Sequence, residues 1–355
     1  MRHALAPLRW LRYFVRCGVL GCYLVTCSGC GVGYLWHVTV GQAMLFARQR
    51  PVEDVLRAGQ LSLQEQQKLH LIQAVRQFAI TDLGLYDSAS YTTFVQLDRP
   101  YVSYNLSAAP ADALTPYVWR FPLLGTLPYK GFFDHEYAQR EQHLLDEQGY
   151  DTYLRGVRAY STLGYFDDPI LSSMLAYDDA WLINTIIHEM LHQTVWIKGS
   201  VSFNESLASF IGEHGAVRYL TQRDGADSAV VQQYRAVQAD ALVFAEYMRG
   251  LIERLEAMYA EPLSREDKLR RKADILAAAV AEYPQVFPRL QTMSYRQFFE
   301  RQPLNNAVLL AFRVYHRDTT YFERLFAEHG GDVRRLIAYF KTVRAEEIPA
   351  QFRTR

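Results

Sequence analysis

The chain has 355 residues, its 38 Lys and Arg balance 38 Asp and Glu, and half of it is hydrophobic. Zero formal charge excludes nucleic acid as the main partner, because gripping a phosphate backbone needs a basic footprint. The 24 Tyr and 19 Phe supply apolar area for a sizeable core. That argues against disorder outside the ends and allows one large domain or two closely packed ones.

The first element reads as a targeting segment. Arg2, Arg9, Arg12 and Arg16 precede an apolar run at 17–27, and Ser28-Gly29 places small residues before Cys30. This is a secretory layout; the run of about 11 residues is too short to span a bilayer. Small residues directly before a cysteine resemble the bacterial lipoprotein processing site, with Val19-Leu20-Gly21-Cys22 as a second candidate. The resemblance implies residues 1–29 as signal peptide and Cys30 as the lipidated residue. The mature chain then keeps one of four cysteines (Cys17, Cys22, Cys27 and Cys30), which suits an oxidising compartment. The expected location is the bacterial cell envelope, lipid-anchored and facing the periplasm.

Residues 30–60 read as a membrane-proximal linker and helix. Ser62-Leu63-Gln64-Glu65 is a capping-box pattern that opens a helix through about Leu85. Tyr91–Leu97, Tyr101–Leu106 and Tyr117–Leu123 are β-branched or aromatic runs broken by Asp98-Arg99-Pro100 and Ala109-Pro110, as expected of a small sheet. A loop or edge strand follows at 125–133, then a polar helix over Asp134–Gln148 ended by Gly149, and a further strand at Arg155–Tyr160. After Asp178 the pattern is helical, at 179–198, 203–221, 226–260, 264–282, 303–316 and 319–343. Strands first and helices later give an α+β class: an α+β lobe over 61–178 and a helical lobe over 179–355.

His188-Glu189-Met190-Leu191-His192 carries the chemistry. Four residues on a helix put both imidazoles on one face, one turn apart, where two nitrogens can bind one zinc. Glu189 stands beside them and can act as general base on water. Trp181–Ile187 is apolar and helix-compatible, so the motif sits on a buried helix. Gly199-Ser200 breaks that helix and Ser202–Ser209 opens the next. Two helices joined by a short turn pack side by side, so a carboxylate on the second can complete the site. Glu205 and Glu213 both qualify, and helix geometry alone does not separate them.

His-Glu-x-x-His followed by Asn204-Glu205-x-x-x-Ser209 resembles the gluzincin metallopeptidases, whose thermolysin-like members carry Asn-Glu-x-x-x-Asp. The resemblance implies Glu205 as third zinc ligand and Ser209, in place of Asp, as support for a ligand histidine. The whole chain is similar to a bacterial family of predicted zinc aminopeptidases that are predicted lipoproteins. The likeness lies in Ser28-Gly29-Cys30-Gly31, Leu127–Phe133, Tyr160–Pro169, the zinc motif with Ser202–Ala208, and Leu304-Asn305-Asn306-Ala307. It implies a gluzincin zinc helix pair, one Zn2+ per chain and a peptide substrate.

A peptidase must also hold substrate and stabilise an oxyanion. Gluzincins place a substrate-pairing edge strand upstream of the zinc helix, which makes Tyr129, Lys130 and Gly131 candidates. Asp167 and Asp168 are candidates for a substrate ammonium. Tyr315, with His316 and Tyr321, is a candidate oxyanion donor. His70, His135 and His143 are expected on solvated helix faces, and 226–282 as a solvated helical hairpin. The rival reading is a non-catalytic zinc-binding envelope lipoprotein that acts as a scaffold.

Overall fold

The computed structural model describes residues 29–121, 125–159, 167–315, 320–349 and 352. The signal-peptide residues 1–28 and the Tyr160–Phe166 part of the family likeness lie outside the described residues. Helix α1 (Gly29–Ala47) comes first and includes the backbone of Cys30; β1 (Arg50–Pro51) and α2 (Val52–Ala58) follow. Helix α3 (Leu63–Thr81) starts at the expected capping box. Ser62 Oγ accepts from the Glu65 N–H at 3.3 Å, and the Glu65 carboxylate accepts from the Ser62 N–H at 2.8 Å. Reciprocal capping of this kind is worth about 1 kcal/mol.

The strands form three small sheets. In the first, β1, β2 (Thr93–Val95) and β8 (Ile170–Leu171) lie side by side, with β2 and β8 parallel in the register Phe94–Ile170. The second is antiparallel, in the order β6 (Lys130–Phe132), β3 (Ser103–Pro110), β7 (Tyr150–Val157). The third is a hairpin of β4 (Trp119–Phe121) and β5 (Gly125–Leu127). Helix α4 (His135–Glu147) precedes β7, and Gly149, at φ 79°, turns the chain straight into it. The last expected strand therefore begins at Tyr150, not Arg155, with Tyr150 opposite Pro110.

The helical part runs α5 (Asp179–Thr194), α6 (Val201–Asp224), α7 (Ala229–Ala260), α8 (Arg265–Glu282), α9 (Phe298–Arg301), α10 (Asn306–Tyr315), α11 (Thr320–Glu328) and α12 (Val333–Phe340). The expected helix at 319–343 is two helices, because Gly330 and Gly331 both take positive φ and end the first. Residues 283–289 form a 3-10 turn containing Pro284 and Pro288, where proline cannot continue an α-helical ladder.

Packing does not break at residue 178. One core joins Leu69, Ile72 and Val75 of α3 to Ile183 and Ile187 of α5, Phe203 and Ile211 of α6, and Phe322 and Phe340 near the end. Each such side chain contributes about 1.5–3 kcal/mol when fully buried. The α7–α8 hairpin is more than a solvated arm: Phe244, Leu251, Leu255 and Tyr283 build a second core with Leu309. Within it Asp240, fully buried, accepts from the N–H groups of Gln291 and Thr292 at 2.7 Å each and from the Thr292 hydroxyl at 2.6 Å.

A polar clamp ties the sheet to these helices and accounts for Leu304-Asn305-Asn306-Ala307. Lys272 on α8 donates to Asp151 of β7 at 2.6 Å and to the Ala111 carbonyl at 3.0 Å. The same Asp151 oxygen accepts from the Asn306 N–H at 2.7 Å. The Asn306 side-chain amide donates to the Pro110 carbonyl, and Asn305 donates to the Thr152 carbonyl. His70, His135 and His143 are exposed as expected, although the His135 ring also packs on Tyr104, with centroids 4.5 Å apart.

Candidate active site

The His-Glu-x-x-His sequence lies on α5. Asp178 caps that helix by accepting from the Trp181 N–H at 2.9 Å, and its apolar side buries Leu182, Ile183, Ile186, Ile187, Met190 and Leu191. With that face fixed against α3 and α6, His188 and His192 project together on another. Their Nε2 atoms are 3.2 Å apart. His192 is 3 % exposed, and Trp196 packs edge-on against its ring with centroids 5.5 Å apart.

The turn from α5 to α6 is held by one side chain. Buried Asn204 accepts from the Ile197 N–H through Oδ1 and donates to the Ile197 carbonyl through Nδ2, both at 2.9 Å. Gly199, at φ 77°, permits the reversal. The next residue, Glu205, then points back at the histidines: one carboxylate oxygen lies 3.5 Å from His188 Nε2 and the other 3.5 Å from His192 Nε2. One ligand atom from each of the three residues lies within 4.8 Å of the others.

Close approach of the helices sets this register. A methyl at Gly212 would fall 2.5 Å from Asn184 Oδ1 and 3.3 Å from His188 Cβ; one at Gly215 would meet Ile187 at 3.1 Å. Glycine therefore lines the side of α6 turned to α5. Glu213, next to Gly212 but rotated by about 100° around the helix, stays outside the triad. It is reachable by solvent yet flanked by protein on most sides. Its carboxyl is raised to about 7, first by desolvation and then by Glu323, with His188 opposing.

The charges in the site couple. Burial works against protonation of His188, but Glu205, Glu189 and Glu213 outweigh it and raise its pKa. Burial and the neighbouring His188 lower His192 to about 4. Glu205 is lowered: burial opposes its charge, and the two histidines overcome burial. Glu189, half-buried beside His188, is felt by the phenols of Tyr91 and Tyr177. Tyr91 is the one non-glycine with positive φ among the described residues (63°), and its ring is buried.

Two nitrogens 3.2 Å apart, each 3.5 Å from a different oxygen of one carboxylate, are near enough to share a tetrahedral ion, whose ligands at roughly 2.0–2.2 Å are about 3.3–3.6 Å apart. The donor set also suits zinc chemically, as neutral imidazoles with an ionised carboxylate.

The structure places the other candidates as follows. The Ser209 side chain makes no hydrogen bond among the described residues, and buried His192 Nδ1 has no partner there. Lys130 does not line the site. It is buried, with its ammonium 2.9 Å from Glu141 and over the rings of Tyr34 and Phe132. The Gly131 carbonyl accepts from the Tyr34 hydroxyl at 2.9 Å, and His37 Nε2 accepts from the Phe133 N–H at 3.1 Å. β6 is an edge strand of its sheet, as expected at 125–133, and its outer edge is covered by α1. Tyr129 is exposed. Asp167 accepts from the Ala89 N–H at 3.1 Å, and Asp168 is buried with its N–H donating to Ser90 Oγ at 2.9 Å. Those contacts tie this loop to the one at Ala89–Ser90. Tyr315 ends α10, with its side chain outside the described part; His316 lies outside it altogether, and Tyr321 packs on Phe322 and Phe352.

Sequence reasoning missed Asn204 and Gly212 as positioning residues. A signal for each was present: a polar residue directly before the ligand, and a glycine inside an otherwise helical run. No curated protein and no solved structure matches the chain. A family model described as "Putative aminopeptidase" matches residues 33–354. Since that match covers most of the 355 residues, the chain belongs to the putative aminopeptidase family.

Proposed function

We propose that the protein is a zinc-dependent peptide hydrolase, an aminopeptidase, held at the bacterial envelope through its N-terminus with Cys30 as the lipidated residue. The single observation that carries the catalytic reading is the convergence of His188, His192 and Glu205 at 3.2–3.5 Å with Glu189 beside them on the same helix. When bound there, zinc supplies a Lewis acid that polarises the scissile carbonyl and acidifies water. His188 and His192 hold the ion through Nε2, and Glu205 completes the set as the gluzincin resemblance implies. Glu189 accepts the proton of the attacking water at its carboxylate and returns it to the departing amine nitrogen.

The backbone of β7 supports a path for the substrate. The carbonyl of Thr152 on its outer edge takes Asn305, and the Arg158 carbonyl just beyond the strand takes Ser173. Between them no hydrogen bond among the described residues reaches the outward groups of Leu154 and Gly156. Arg158 packs over Tyr177, whose phenol feels Glu189, so this edge leads toward the general base. An extended peptide can add there as a further strand.

The test is Glu189→Gln in the full chain, with metal content and digestion of a mixed peptide library read together. Retained zinc with hydrolysis lost is expected. Undiminished hydrolysis would overturn the role of Glu189, and full zinc occupancy of the native chain with no cleavage of any peptide would overturn the enzyme reading.

A further inference from the structure

Helix α1 has two apolar sides and one protein neighbour. Its inner side packs on the sheet: Tyr34 and Leu45 are buried, Val38 joins the core around Tyr104 and Phe132, and the Phe133 ring closes over Gly41. Tyr34 and His37 bond the backbone of β6, so the helix is fixed to the fold. Its outer side is also mainly apolar, with Thr39 the exposed polar residue among the described side chains. Trp36 is 71 % and Met44 55 % exposed, with Gly33, Ala43 and Ala47 exposed beside them. No Asp, Glu, Lys or Arg occurs between Gly29 and Ala47. A helix that is apolar all round and belongs to a soluble fold is normally buried all round. Here half of it is not, and that face needs a second apolar contact.

The flanking charges identify the contact. No Asp or Glu occurs from Cys30 to Val52, whereas Arg48 and Arg50 directly follow α1. All 38 acidic residues of the chain come later. Tyr34 and His37 bond α1 alongside β6, so the helix cannot leave the body to cross a bilayer and suits the plane of an interface better than its normal. Tryptophan favours that depth, and arginine the anionic headgroups.

We propose that α1 lies along the surface of an anionic bilayer, with Trp36 and Met44 in the headgroup–acyl boundary and Arg50 against the phosphates, while Arg48 lies 3.9 Å from Asp98. The inference rests on the envelope part of the proposed function and deepens it. A lipid or apolar tail alone would leave the body free to swivel. A helix bonded to β6 on one side and lying in lipid on the other fixes the orientation of the whole body against the membrane.

The test uses the full chain with phosphatidylglycerol–phosphatidylethanolamine vesicles whose acyl chains are brominated. Co-sedimentation reports anchoring. The fluorescence of Trp36, obtained as the difference between the native protein and Trp36→Phe, reports where α1 sits. Bound protein with Trp36 quenched by bromine is expected. In addition, Met44→Glu should weaken partition to these vesicles by about tenfold, since it puts an anion where an apolar group met anionic lipid, while thermal unfolding stays unchanged. Bound protein with unquenched Trp36 overturns the proposal and leaves anchoring intact. Unquenched Trp36 in a protein that sediments as a dimer assigns the face to a second copy instead. Failure to co-sediment overturns anchoring and the proposal together, without touching the zinc reading.

Discussion

His188 Nε2 and His192 Nε2 face each other at 3.2 Å. Two imidazolium rings cannot both carry a proton at that distance, and the pKa values split accordingly, His188 up and His192 down to about 4. With the Glu205 carboxylate 3.5 Å from each, the trio turns three donor groups toward one place, as the proposed zinc site requires. Glu205→Gln removes the charge and keeps the shape. It should lower zinc affinity by more than the roughly 10–100-fold that loss of a mere supporting partner costs. Metal content after dialysis against graded chelator checks this; unchanged affinity would move the third ligand elsewhere.

Asn204 closes the turn that aims Glu205. Asn204→Ala leaves the Ile197 N–H and carbonyl without their side-chain partner in a buried place. The carbonyl keeps the Ser200 N–H at 3.3 Å, but the orphaned Ile197 N–H costs about 1–3 kcal/mol, so the melting temperature should fall and zinc binding should weaken with it. Asn204→Asp, which retains an acceptor for the Ile197 N–H but no donor, should lie between. A variant that melts as the native protein does would contradict this account of the turn.

Gly212 sets how closely α6 meets α5. In Gly212→Ala the new methyl displaces the Asn184 amide, whose Oδ1 it meets at 2.5 Å, and presses on the Asn184 carbonyl at 3.2 Å and His188 Cβ at 3.3 Å, which asks the two helices to ease apart. Overpacking of this kind costs about 1–3 kcal/mol. The expected signature is a loss of zinc affinity larger than the loss of stability alone would produce, read by titration at a temperature where both proteins are folded. Equal affinity would show that the helix spacing has slack.

Lys272 and Asp151 lie 2.6 Å apart, with side chains 11 % and 15 % exposed. Removing one member of a buried pair costs about 3–5 kcal/mol, because its partner stays charged in a dry place. Lys272→Met should therefore destabilise strongly, and adding Asp151→Leu should recover part of the loss. Chemical denaturation of the single and double variants decides it; a double variant less stable than the sum of the singles would argue for the wider network through Asn306.

Glu213 gives the metal-free protein a pH signature. Its folded pKa, about 7, lies above its ordinary value of 4.5. The folded state therefore holds the extra proton between those values, and its stability falls as pH rises through that window. Desolvation is the chief cause, Glu323 adds to it and His188 opposes it. Glu213→Gln should melt higher than the native protein above pH 7 in chelator, and the gap should close toward pH 4.5. Parallel melting curves across that range would refute the shift.

Much of this protein is set by local rules that its sequence states outright. Ser62 and Glu65 cap a helix wherever they occur three residues apart at its start, and His188 and His192 share a face because four residues make about one turn. The Asn204-Glu205 pair after a Gly199-Ser200 break already says that a second helix brings a carboxylate back toward the first. Which of Glu205 and Glu213 arrives is not local. It depends on how near and at what rotation α6 meets α5, and Gly212, Gly215 and the Asn204 clamp fix that only in three dimensions. Lys130 and Gly131 have the composition of a substrate-lining strand, yet α1 and α4 turn them to structural use by covering one edge and supplying Glu141. Periodicity fixes which side chains share a face of their own element. What that face meets is decided by partners distant in sequence, since burial is a property of the assembled pair and not of either segment.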